Sequence, residues 1–365
     1  MLALIALANS ALYLHGREYG VRQHVTGGSA ADEAVGALMV TFVDGRAYPL
    51  FAALFGYGLV RLALREPDPA SARSVLRRRS GWLVAFGAVH GILLFPGDIL
   101  GTYGLLGLAL AGAWQARDRL LLGVAAVTLP LVALVVGAVY GTRPADPDQR
   151  SFLWSMAIDD PMAALAWRPV EWLMTPVAML GVVPAALVGI VAARRGLLDA
   201  PHEHRPLLRR VAVGGIILAA AGGLPVALAV AHVWEPSPGA LFAASALHAV
   251  TGVAGGLGYA ALLGLMVVNL RPDGPTVRAL RITGQQSLTC YLLQSVVFAL
   301  LLAAWAGGLG AHLGAASVAL VGLATWAGTV VLASSRWASG RRGPAEVLLR
   351  RLVYRRQPAR MGAWR

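Results

Sequence analysis

Residues 120–141 read LLLGVAAVTLPLVALVVGAVYG, without one charged side chain among them. A helix of that length extends roughly 33 Å, enough to cross a hydrocarbon core about 30 Å thick. Outward from this stretch, nine more apolar runs of comparable character occupy about 1–15, 46–64, 80–95, 98–115, 173–193, 211–233, 244–270, 282–305 and 314–334. The composition agrees with them. Of 365 residues, 57% are apolar and 13% are charged, with 43 Gly and only 18 acids, and the mean hydropathy is +0.65. A water-soluble domain carries about a quarter charged residues, so soluble enzymes and disordered chains are excluded. The fold expected is an all-α polytopic membrane protein of about ten transmembrane helices.

The segments between the runs fix the expected orientation. All 31 basic residues are Arg and the net charge is +13. With residue 1 placed inside, 25 of these arginines fall in the inner segments 61–79, 116–119, 194–210, 271–281 and 336–365. Five fall outside: Arg17, Arg22, Arg143, Arg150 and Arg168; Arg46 opens the second run. Both termini are therefore expected in the cytoplasm, with the chain passing many times through a membrane. This pattern accounts for the positive charge without nucleic acid. The lone cysteine, Cys290, excludes a disulfide within the chain and a Cys-based metal site. The pair His202 and His204 has no further ligands beside it, so no metal is expected.

Several local readings follow. Residues 25–35 (VTGGSAADEAV) look like a solvated outer loop, leading through a short surface helix at 33–43 into the second run. The tail from Arg341 places Leu348, Leu349, Leu352 and Val353 among Arg350, Arg351, Arg355 and Arg356. That pattern predicts an amphipathic helix in the inner interface, with Pro344 and Glu346 in its first turn. Division at residue 200 separates an N-terminal transmembrane region, 1–200, from a C-terminal one, 201–365.

An ionisable side chain at mid-membrane costs about 2.5–3.5 kcal/mol on insertion scales, so each one asks for a reason. Residues 87–104, GAVHGILLFPGDILGTYG, read as a helix, a Phe-Pro-Gly turn and a second helix. The hairpin brings His90 toward Asp98, while Tyr103 falls on a different face. Asp98 alone is an N-cap and His90 alone a structural histidine. Together they offer acyl chemistry a base and a carboxylate that orients it. A second cluster, Gln286, Ser287, Tyr291, Gln294 and Ser295, places its last four members on one helical face. Such a stripe either joins helices or walls a polar tunnel. Arg46, beside Asp44, either snorkels to the interface or neutralises Asp44 or Asp98. His248 reads as structural.

These motifs carry a resemblance. GAVHGILLFPGDILGTYG resembles the hallmark of the YeiB family of bacterial membrane proteins, and GRAYPLFAALFGYG at 45–58 resembles that family's preceding helix. ITGQQSLTCYLLQS at 282–295 and RRGPAEVLLRRLVY at 341–354 look like the two ends of its C-terminal domain, long filed as a domain of unknown function. Members usually open with a stretch bearing Arg, Asp and Arg-Gly before the helix that LALIALANSALYL resembles. Its absence here suggests a start upstream of Met1, or a site altered at that point.

The family is similar to transmembrane acyltransferases of the heparan-glucosaminide acetyltransferase and sugar O-acyltransferase type. The resemblance implies transfer of an acyl group, acetyl first, from cytoplasmic acyl-coenzyme A to a hydroxyl or amine of a sugar, envelope component or secreted metabolite. It implies His90 as base, with Asp98 as its orienter or as an acceptor contact. From the residues themselves, Arg46, Tyr103, Gln286, Ser287, Tyr291, Gln294 and Ser295 are expected about the substrate. Arg77, Arg78, Arg79, Arg194 and Arg195 would meet the coenzyme phosphates, or simply set topology. Acyl-coenzyme A enters as a co-substrate, and no tightly bound cofactor is expected. The partners expected are the bilayer and a small-molecule or sugar acceptor, with a homodimer left open. A transporter of small molecules and a non-catalytic membrane sensor are the competing functions; the lack of internal repeats speaks against the first.

Overall fold

The structure is a computed structural model that describes residues 1–143, 146–150, 152–270 and 274–354. Among them there is no β-strand, and fourteen α-helices follow in order. They are α1 (Leu2–Ala11), α2 (Ala30–Phe42), α3 (Ala47–Ala63), α4 (Pro69–Leu93), α5 (Ile99–Leu110), α6 (Asp118–Tyr140) and α7 (Pro161–Ala178). The second half comprises α8 (Val182–Arg194), α9 (Arg205–Val230), α10 (Pro238–Asn269), α11 (Pro275–Gln285), α12 (Ser287–Leu302), α13 (Ala315–Ala338) and α14 (Pro344–Tyr354).

Helix starts are written locally. Asp68, Asp160 and Ser237 each stand before a proline at the first helical position and accept backbone N–H groups of α4, α7 and α10. A proline there gives up an N–H that the helix would leave unpaired anyway. All ten apolar runs are helical. Among the described residues, five helical stretches are long and apolar enough to cross a membrane, or up to seven if the bent pairs α7–α8 (56°) and α11–α12 (83°) each count as one span. The difference from ten has simple causes. α1 and α5, of 10 and 12 residues, extend only about 15–18 Å, and α4 carries Arg73 and Arg77 to Arg79 in its first half.

One expectation is corrected. The helix foreseen at 33–43 does not lie on a surface. As α2 it packs against α9 and α13, buries Gly36, Met39 and Val40, and runs on through a break at 43–46 into α3, a stretch of 34 residues. The C-terminal helix α14 forms with Pro344 and Glu346 in its first turn, as expected, and Glu346 has a second task. Its carboxylate accepts the N–H groups of Leu288 (2.7 Å) and Thr289 (3.0 Å), so α14 caps α12 from outside. Arg355 and Arg356 lie outside the described residues.

Close packing uses small residues, as it must where burial from water does not drive helices together. A Cβ on Gly56 would strike the backbone of Ala186, and one on Gly189 that of Ala53. This reciprocal approach fixes α3 against α8. α9 and α10 pair along much of their length, and α4 pairs with α5 through the turn at 94–98. These contacts place the 94–98 turn beside the long segment 12–29: Tyr13 stacks on Phe95 at 5.6 Å. That end of the bundle is the Arg-poor one.

Candidate functional site

The hairpin closes as its sequence requires. Asp98 caps α5, accepting from Leu100 N (3.0 Å) and Gly101 N (2.6 Å), and its Oδ1 also meets His90 Nδ1 at 2.8 Å. Cap and orienter are therefore one carboxylate. Gly87 permits this approach, because a Cβ there would collide with Asp98 Oδ2 and the backbone of Gly101. The indole of Trp172 reaches Asp98 Oδ2 at 3.4 Å. Tyr291 and Phe95 cover the imidazole, with ring centroids 5.0 and 6.4 Å away. The two side chains are 1% and 0% exposed, and His90 Nε2 is buried without a hydrogen-bond partner. Outside the pair, Arg168 donates to the carbonyls of Ile92 (3.3 Å) and Leu93 (2.9 Å), and Thr175 to that of Pro96 (2.9 Å). The pair is formed and sealed.

A second histidine–aspartate pair joins distant parts of the chain. His24, on the 12–29 segment, meets Asp44 Oδ2 through Nε2 at 3.0 Å. Its side chain is 16% exposed and that of Asp44 18%. Both line an open cleft of about 100 Å3 together with Arg22, Tyr48 and Tyr140. The floor is the break between α2 and α3, where Gly45 adopts φ +71°, a conformation costly for a residue with a side chain.

That break lies deep. Arg46, fully buried, donates to the Asp44 carbonyl (2.7 Å) and to Ala219 O (2.6 Å), and meets His248 Nε2. Ala219 and His248 stand roughly 15 Å in from the Arg-poor ends of α9 and α10 at 1.5 Å per residue. Arg46 thus neither snorkels nor reaches Asp98. It holds the broken backbone in place, and irregular backbone at membrane depth needs such a lining.

At the top of the cleft, Arg22 (φ 53°) and Gln23 (φ 60°) are strained positions. The Arg22 guanidinium lies 4.3 Å from the centre of the Tyr140 ring. Tyr48 bonds to Asn9 (3.1 Å), and the Tyr103 hydroxyl donates to the Tyr48 carbonyl (2.7 Å). Tyr103 therefore joins the wall of the cleft from behind rather than His90.

The remaining predicted residues separate. Gln286 Nε2 donates to Ala333 O (3.1 Å) and Gln294 Nε2 to Thr329 Oγ1 (3.4 Å), tying α12 to α13. Ser295 bonds back to Tyr291 O (3.4 Å), and Ser287 starts α12, half-buried. Of the stripe, only Tyr291 reaches the His90 pair, through the ring contact and Ile99 N (3.5 Å). At the Arg-rich end, Arg194 meets Asp118 (2.9 Å) and the carbonyls of Ala116 (2.5 Å) and Trp114, and Arg195 meets Asp118 (3.1 Å). Arg77 is exposed and Arg78 half-buried, while Arg79 lies 5.7 Å from the centre of the Phe55 ring. Among the described residues no cluster of three or more His, Cys, Asp or Glu is arranged to hold a metal ion.

His24 escaped the sequence reading because its partner lies twenty residues away across a helix, outside any local motif. The available signal was the Asp-Gly-Arg triplet at 44–46 inside an apolar neighbourhood.

With this geometry in hand, comparison with known proteins adds a family likeness for the C-terminal part. Residues 192–356 match the family model described as "Protein of unknown function (DUF418)". The segments 282–295 and 341–354, which resemble the C-terminal domain of the YeiB family, fall inside that match. The chain is also similar to "Uncharacterized protein YxaH" of Bacillus subtilis (strain 168), 26% identical over 217 residues, with 52% of this chain and 53% of that protein covered. The chain thus spans about half the length of the curated relative it matches. No solved structure matches. Neither likeness bears on acyl transfer.

Proposed function

We propose that this helical membrane protein is an acyltransferase that uses the Arg-poor cleft as its acceptor site, with His24 as the base and Asp44 as its orienter. The observation that carries the proposal is the His24–Asp44 pair at 3.0 Å in an open cleft reaching membrane depth. With Nε2 taken by Asp44, Nδ1 is the nitrogen left for chemistry, beside Gly36. Nδ1 takes the proton of the acceptor O–H or N–H as that atom attacks the thioester carbonyl of acyl-coenzyme A. The C–S bond breaks, and the coenzyme thiolate leaves and recovers the proton from the imidazolium. The carboxylate stabilises that imidazolium and holds its tautomer.

In this reading His90–Asp98 is a positioning pair that locks α4 to α5, and the coenzyme phosphates meet Arg77 and Arg78 at the Arg-rich end. The placement in a bacterial inner membrane belongs to the same proposal. The experiment is acyl transfer from acetyl-coenzyme A by the purified chain in detergent, comparing wild type, His24→Ala and His90→Ala against a panel of hydroxyl and amine acceptors. Loss confined to His24→Ala supports the assignment. Equal transfer by His24→Ala and wild type overturns it.

One observation favours a second reading. The α2–α3 stretch is broken at membrane depth by an Asp-Gly-Arg segment, and discontinuous helices form the binding sites of many transporters. Solute flux into proteoliposomes without any acyl donor would favour transport over transfer.

A further inference from the structure

We infer that the ligand of the cleft is a small organic acid, its carboxylate held by Arg22 and its hydroxyl or amine turned toward His24. The inference rests on the reading of the cleft as an acceptor site, and adds the chemical class that it takes.

The guanidinium of Arg22 carries the argument. It lines the cleft, yet its Nε and Nη1 are shut off from solvent and have no hydrogen-bond partner. Buried donors are nearly always satisfied, so a guanidinium with two unpaired nitrogens on the wall of the cleft calls for an acceptor that the chain does not itself provide. The position is also enforced. Arg22 and Gln23 both take positive φ, at 53° and 60°, and the guanidinium is stacked over Tyr140. Strain of that kind costs about 1–3 kcal/mol for each residue and persists where the surroundings impose it. A planar cation held in one place on the cleft wall fits an anionic oxygen acceptor, a carboxylate or a phosphate.

Charge decides between these two. Along the cleft stand Arg22 and, just behind the floor, Arg46; the acid beside them is Asp44, whose Oδ2 is already taken by His24. The formal surplus is one positive charge, matched by a monoanion. Asp32 and Glu33 line the cleft as well. Asp32 is engaged by Ser29 and by Ala316 N (2.9 Å), capping two helices at once. Both acids disfavour the entry of a phosphate dianion or a polyanion. Leu7, Ala11, Met39 and Val230 make the opposite wall apolar, so a short aliphatic portion is tolerated.

The test is binding without an acyl donor. Purified full-length chain in detergent is titrated with lactate, 3-hydroxybutyrate, serine and glucuronate, each beside its primary amide, and with glucose 6-phosphate, reading heat and thermal stability. The expected result is saturable binding of at least one acid and weaker binding of its amide. Arg22→Gln should then weaken the acid by roughly 10- to 100-fold, the loss of a charge-assisted bond, with the melting temperature and helix content of the apo protein retained. Arg22→Lys should restore part of the affinity if the first variant is poorly folded. Equal binding of acid and amide, tighter binding of the phosphate, acid binding unchanged in Arg22→Gln, or no binding by any acid at millimolar concentration would each overturn the inference. Acid binding that depends on Arg22 with no acyl transfer to any bound acid would leave it standing and sink the acyltransferase reading. Transfer to a neutral acceptor, unchanged in Arg22→Gln, would do the reverse.

Discussion

The two histidine–aspartate pairs lie at the same end of the bundle, and their contrast separates proximity from access. His90 and Asp98 come from one hairpin, eight residues apart, and are closed in by Tyr291, Phe95 and Trp172. His24 and Asp44 come from either side of α2, and both face an open cleft. The donor–acceptor distances differ by only 0.2 Å, at 2.8 and 3.0 Å. What differs is the second bond of the carboxylate. Asp98 is spent on the N-terminus of α5, whereas Asp44 has no such duty among the described residues. A carboxylate that caps a helix and orients a histidine in a sealed place serves the fold first.

The sharpest way to break that contrast is to remove each base in turn. His24→Ala should lower acyl transfer by about 10²- to 10⁴-fold, the contribution of a positioned base, with the melting temperature little changed. Initial rates with acetyl-coenzyme A measure it, and a comparable loss on His90→Ala alone would reverse the assignment. Next in size is Asp98→Ala, which strips two buried N–H groups and His90 of their partner. Breaking a buried pair of this kind costs about 3–5 kcal/mol; a thermal melt indistinguishable from wild type would show that the pair is not structural.

Gly87→Ala probes the same packing more gently. The added methyl collides with Asp98 Oδ2 and Gly101, and overpacking of this sort costs about 1–3 kcal/mol. The melting temperature should fall, whereas Gly81→Ala on the same helix, where a Cβ meets nothing within 4 Å, should leave it unchanged. The smallest effect sharpens the comparison from the other side. In Gly36→Ala the methyl would stand 3.7 Å from His24 Nδ1 and 3.2 Å from a Val230 methyl. It should raise KM for the acceptor several-fold while shifting stability by less than about 1 kcal/mol. A change in kcat alone would place the acceptor elsewhere.

Much of the fold was legible because the bilayer makes length and apolarity decisive. Each of the ten runs became helix, and the proline-led caps at Asp68, Asp160 and Ser237 mark where helices begin. The hairpin pair was legible too, since eight residues across a tight turn leave few other arrangements. The role of Arg46 was not legible, because its partners, Ala219 and His248, are brought by α9 and α10 from about two hundred residues away. Nor was that of Glu346, which leaves its own helix to cap another.

The sequence by itself determined that this chain is a helical bundle with a polar Arg-poor end, because burying a backbone in lipid leaves little choice but helix. It also brought His90 toward Asp98 through the hairpin, and the structure closes that approach to 2.8 Å. The tertiary structure alone decided which pair is open. Solvent access depends on how α2, the 12–29 segment and the start of α13 pack around a gap, and that packing is a sum over distant contacts that no local spacing records.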